Sequence, residues 1–162
     1  MTSEHRWLTT DEQRAWRALI ATLMLLPPAL DAQLQRDSNL SVFDFGVLAM
    51  LSEAPNRTLR MGQLAALNDS SLSRLSHVVK RLEDRGAIVR RPSATDRRAN
   101  NATLTDEGFA MVEQAAPAHV ERVRQLVFDQ LSKRQVGQLA EIGDAIRKNL
   151  DPEHRLPLHQ EP

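Results

Sequence analysis

The chain has 162 residues and a formal net charge of zero at pH 7; 41% of it is apolar and 26% charged, and it has no cysteine. That suits one soluble domain with appended helices, and it excludes disulfides, thiolate-bound zinc and a thiol redox switch. The charge is unevenly spread, because between Arg57 and Arg98 ten Lys and Arg residues face four Asp and Glu, a local net of +6 in a frame of −6, which is the footprint of a nucleic-acid-binding face.

Residues 1–10 are polar and loose. A first helix is expected from Thr9 or Thr10, with Asp11 and Glu12 at its positive end. Its apolar positions, Trp16, Leu19, Ile20, Leu23, Leu26 and Leu30, repeat with helical spacing. Pro27 and Pro28 are expected to kink or break it, since each lacks a donor and crowds the preceding turn. The apolar stretch from Ala18 to Leu30 is too short for a bilayer span of roughly 20 residues, and no secretory leader is expected, because no apolar run closes on a small-residue cleavage site. Ser41, with Asp44 three residues on, caps a second helix whose buried stripe is Phe43, Val47, Leu48 and Leu51. Pro55-Asn56 ends it, and 57–60 can pair as a short strand.

Met61 to Leu67 reads as a short helix with Met61, Leu64, Ala65 and Leu67 inward. Asn68-Asp69-Ser70 is a turn with capping residues. Ser71 to Arg85 is an amphipathic helix with Leu72, Leu75, Val79 and Leu82 on one face, and Gly86 stands where its C-terminal cap belongs. Ala87 to Arg91 and Asn101 to Leu104 can form a hairpin around a polar loop. Thr105-Asp106-Glu107 opens a helix through Phe109, Val112, Val120, Val123, Leu126 and Val127, with Pro117 able to bend it. Ser132 caps a last helix carrying Val136, Leu139, Ile142, Ile146 and Leu150, and the tail holds three prolines.

Helix, turn, helix, glycine, strand, basic loop, strand is the order of a DNA-binding unit in which the second helix enters the major groove and the hairpin lies beside it. The face opposite the leucines carries Ser70, Ser73, Arg74, His77 and Arg81, short polar groups and cations suited to base edges and phosphates, while Lys80 and Arg85 flank it toward phosphate. Arg97 and Arg98 at the hairpin tip suit the narrow minor groove, with Asp96 able to orient one of them. The terminal helices offer Leu19, Leu23, Leu26, Val123, Leu126, Leu139, Ile142 and Ile146, apolar enough to need a partner and outside the central core. A two-fold dimer matches a palindromic site.

The series Leu64-Ala65, Leu72-Ser73-Arg74-Leu75-Ser76, Arg81-Leu82-Glu83-Asp84-Arg85-Gly86, Asp96-Arg97-Arg98 and Leu104-Thr105-Asp106-Glu107-Gly108 resembles the MarR family of winged helix-turn-helix regulators, most clearly from Val42 to Gly108. The resemblance implies a mainly α fold with a small β-hairpin wing. Residues 39–105 would form the winged helix-turn-helix, and residues 1–38 with 106–162 a helical dimerisation region. It implies a cytoplasmic homodimer on a pseudo-palindromic operator, in many relatives a repressor released by a small aromatic or phenolic ligand bound between the two regions. His77 stands where an arginine is common, which changes the expected base preference, and the absence of cysteine excludes the peroxide-sensing branch.

No enzymatic site is expected. His5, His77, His119, His154 and His159 lack metal-binding spacing, and no nucleophile motif, phosphate loop or dinucleotide fingerprint is present, so neither a metal nor a cofactor is expected. Trp7 and Trp16 can line a pocket but at helical spacing fit a core better. Two other readings stay open at this level: a regulator that responds to no ligand, and a winged-helix adaptor that binds protein instead of DNA.

Overall fold

A computed structural model describes residues 5–93 and 100–151. Its elements are α1 (Thr10–Ser38), α2 (Val42–Glu53), β1 (Thr58–Arg60), α3 (Met61–Leu67), α4 (Leu72–Asp84), β2 (Ile88–Pro92), β3 (Asn100–Leu104), α5 (Asp106–Leu126) and α6 (Lys133–Leu150). Short 3₁₀ turns at Pro55–Arg57 and Phe128–Gln130 join α2 to β1 and α5 to α6. The mainly helical fold with a hairpin wing is as expected.

Caps set most boundaries. Thr9, Ser41 and Ser132 each close a reciprocal capping box, with Glu12, Asp44 and Gln135, so two free donors are met at each helix start. Gly86 takes φ +75°. Its N–H donates to Glu83 O, and that of Ala87 to Leu82 O, the paired bonds of a Schellman end, which needs a residue tolerant of the left-handed region.

The proline pair does not break α1. The helix runs 29 residues with Pro27 and Pro28 inside it, although their missing N–H groups leave the Leu23 and Met24 carbonyls without intrahelical donors. Within the single chain Leu23 and Met24 are exposed, so this turn of α1 lies on an open flank and not in the core. By length and hydropathy alone α1 is long and apolar enough to cross a membrane, because the helix continues through the prolines beyond the Ala18 to Leu30 stretch. Its C-terminal third is instead a core element: Gln33 and Leu34 are buried.

The core gathers Leu34, Leu40, Val47, Leu48, Leu51, Leu64, Leu75, Val79, Leu82, Ile88, Leu104 and Ala115, with Phe43, Phe45, Phe109 and Val112 packed around it. It therefore draws in the end of α1 and the first half of α5 as well as the central unit. Strand β3 lies between β1 and β2, antiparallel to both, in the order β1-β3-β2. Trp7, Trp16, Leu19, Leu23 and all of α6 stay largely outside, so the tryptophans are not core within one chain.

His119 on α5 lies at the junction of three helices. Its ring packs against Phe45 of α2 at 4.8 Å between centroids, and its Nδ1 lies 3.3 Å from Gln33 Oε1 of α1. The Gln33 amide is oriented by donation to Asp37 Oδ2 at 2.9 Å, so its oxygen faces the imidazole and Nδ1 is the donor. Burial lowers the His119 pKa from 6.5. The folded state thus binds this proton less readily than the unfolded chain, and stability held above pH 6.5 should fall as pH drops through the depressed value. Urea unfolding from pH 8 to pH 5 should show a steeper acid loss for the wild type than for His119→Gln; equal slopes would remove His119 from the account.

Candidate nucleic-acid interface

Helices α3 and α4 form the helix-turn-helix. In the turn, Asn68 Nδ2 donates to Leu64 O at 2.8 Å, Ser70 N to Ala65 O at 3.0 Å, and Asp69 takes φ 44°. The cap of α4 is Ser71, whose Oγ accepts from Arg74 N at 3.2 Å. Ser70 is half-buried in the turn and does not cap.

Leu75, Val78, Val79 and Leu82 turn α4 toward the core. Opposite them, Ser73, Arg74, His77, Lys80 and Arg81 are exposed along one stripe, as the periodicity predicts. Leu72 departs from expectation. It belongs to the leucine series by spacing, yet it is 54% exposed, because the first turn of α4 projects past the core, and Val78 takes the buried place instead. An apolar side chain beside Ser73 at this end suits a thymine methyl group. The signal in the sequence was the helix start itself, one residue after a capping serine.

The cations are less free than their number suggests. Arg57 has φ 52° and pairs with Asp106 at 2.9 Å while lying 3.9 Å over the Phe109 ring. Arg74 lies 4.7 Å over Phe43. Lys80 pairs with Asp84 and Arg81 with Asp44. Arg85 Nη1 donates to Asn39 O at 2.8 Å. Arg90 Nε donates to Glu83 Oε2 at 2.8 Å, and its backbone N–H to Glu83 Oε1 at 3.0 Å, which ties the base of the wing to α4.

Strands β2 and β3 pair from Ile88↔Leu104 to Pro92↔Asn100, so the wing projects beside α4 as expected. Asp96, Arg97 and Arg98 at its tip, like His154 and His159 in the tail, lie outside the described residues. No group of three or more potential metal ligands occurs among the described residues.

The α1–α5–α6 side is apolar and open. Leu19, Leu23, Leu139, Ile142 and Ile146 are exposed, and Leu26, Val123 and Leu126 half-buried. A groove of about 420 Å³ runs between Thr22, Leu126, Leu131, Leu139 and Ile142.

Comparison with known proteins places this architecture. Residues 38–99 match the family model described as MarR family. A MarR family transcriptional regulator of Streptomyces coelicolor, Sco3205, solved in complex with DNA, is 43% identical, with a TM-score of 0.87 over 97% of this chain and 98% of that one. AbsC, a MarR family transcriptional regulator of the same organism, is 34% identical, with a TM-score of 0.85 over 91% and 99%. The transcriptional regulator PecS of Dickeya dadantii is 33% identical over 112 residues, 64% of this chain and 63% of that protein, so the chain spans under two thirds of that curated relative.

Proposed function

Because the chain belongs to the MarR family of regulators, we propose that it is a homodimeric, sequence-specific DNA-binding transcriptional regulator. The observation that carries this reading is the exposed polar and cationic stripe of α4 beside a wing braced to the same helix by Arg90 and Glu83. Sco3205, similar along nearly its whole length, is solved with DNA, which supports a duplex as the partner here. Ser73, Arg74 and His77 face bases from the major groove, with Ser70 and Lys80 toward the backbone, and Arg97 and Arg98 reach the minor groove under the guidance of Asp96. Residues 39–105 bind DNA; 1–38 and 106–162 bring two copies together, so that two copies of α4 meet half-sites roughly 34 Å apart.

The protein acts as a repressor in the cytoplasm, by binding alone and without catalysis or membrane attachment. A small effector, aromatic or phenolic, that prefers a spacing of the two α4 helices incompatible with DNA would release it. A regulator indifferent to ligands would share the interface but lack this release.

Selection of duplexes from a random-sequence pool, then affinity across a salt series, tests the reading. Selected duplexes should be pseudo-palindromic and bound steeply salt-dependently. Arg98→Ala should lower affinity and reduce the salt slope by about one phosphate, and His77→Ala should relax preference at one position per half-site. Weak binding indifferent to sequence and to both substitutions would favour an adaptor that binds protein.

A further inference from the structure

The arginines of the recognition helix converge on one place. Arg85 donates to Asn39 O, Arg81 pairs with Asp44, and Arg74 lies over Phe43. Asn39, Phe43 and Asp44 form the corner between α1 and α2. Asn39 ends α1 in the left-handed conformation, with φ 51° and ψ 40°. The start of α2 is held to α1 a second time, by Val42 N donating to Asp31 Oδ1 at 2.8 Å.

Burial decides which of these contacts is structural. The Asp44 side chain is 5% exposed and that of Arg81 53%. Asp44 Oδ2 accepts from Ser41 N at 3.0 Å, and Oδ1 accepts from Arg81 Nη2. Both oxygens are thus satisfied within the protein, and Arg81 supplies the countercharge. Swinging Arg81 out to a phosphate or a base would strand a carboxylate in the interior, a large penalty. Arg74 gives up only a ring contact at 4.7 Å and remains available to DNA.

We infer that Arg81 is a positioning residue, which fastens recognition helix α4 to the α1–α2 corner through Asp44 and does not itself read DNA. The fastening makes the end of the long helix α1 and the pose of α4 one mechanical unit. This inference rests on the DNA-binding reading above, and its test separates the two.

The probe is the duplex that wild-type protein selects from a random pool. Asp44→Asn keeps an acceptor for Ser41 N and removes the charge; Arg81→Gln removes the other partner at its exposed end. Each should lower affinity about tenfold, and the double variant should lose about as much as either alone, because the two act through one contact. The salt slope should stay at the wild-type value, since no phosphate contact is lost. Ser41→Ala, which disturbs the cap and spares the pair, should keep most of the affinity. Hydrogen exchange of residues 72–84 without DNA should accelerate in both single variants. The inference is overturned if Asp44→Asn binds like wild type while Arg81→Gln loses affinity and about one phosphate of salt slope. It is equally overturned if exchange in α4 is unchanged in both. A wild-type protein that selects no duplex would sink the functional reading alone, and the exchange experiment would still decide for or against the anchor.

Discussion

Glutamate at both Leu139 and Ile142 is expected to give a folded monomer that binds its operator about 10²- to 10³-fold more weakly, the scale on which linking two binding modules raises affinity. Helix α6 carries no buried residue, and Leu139, Ile142 and Ile146 lie 47%, 57% and 42% exposed at helical spacing. Such a stripe gives a helix of 18 residues an apolar face that favours packing against a partner over exposure to water. The groove beside it continues to Thr22 of α1 and Leu126 of α5, so a second copy can cover all three helices together. Two carboxylates in that surface would have to be buried unpaired. Light scattering and titration with the selected duplex check both halves of the expectation. A double variant that remains dimeric would move the interface elsewhere, and a monomer of full affinity would end the two-half-site account.

Gly108→Ala is expected to cost about 3 kcal/mol, at the upper end for overpacking a tight site, which lowers the melting temperature by about 10 °C for a chain of this size. A Cβ at Gly108 would meet Ala87 O at 2.2 Å, Leu104 Cδ1 at 2.7 Å and Ala87 C at 3.0 Å. Neither backbone atom can step aside cheaply. Ala87 O accepts from Thr105 N at 3.0 Å, and Gly86 O accepts from Thr105 Oγ1 at 2.7 Å, so the crowded segment is held by the same junction that starts α5. Thermal unfolding measures the cost, and a shift under 2 °C would show that the junction yields.

Gly108 also shows how far the sequence could be read. Leu104-Thr105-Asp106-Glu107-Gly108 is recognisable as a pattern, and Thr105 as a cap follows from its chemistry. The need for glycine three residues later does not, because the atom it avoids belongs to Ala87, on the far side of the wing. The helices, their caps and the hairpin were legible because each is set by neighbours within a few residues. Ser41 with Asp44, Ser132 and Gly86 are where local chemistry places them. Reading failed where distant packing decides. Pro27 and Pro28 are accommodated in a helix whose flank is exposed, and Leu72 outruns the core that its spacing implies. On the interface, the stripe on α4 could be listed from periodicity, but not that Arg81 faces a buried carboxylate 37 residues away in sequence. Counting charges treated all ten cations alike, whereas Arg57, Arg85 and Arg90 are spent on bracing the fold.

The order β1-β3-β2 has a consequence for signalling. Central strand β3 begins at the wing and runs directly into Thr105, the cap of α5. Five residues of extended chain, about 16 Å, clamped by neighbours on both edges, form a stiff rod between the surface proposed to meet DNA and helix α5, proposed to meet the second copy. A rod transmits displacement in either direction, and binding free energies are coupled reciprocally. Whatever factor the proposed effector would impose on DNA affinity, DNA would impose on the effector, so occupied operators would raise or lower the concentration at which it acts.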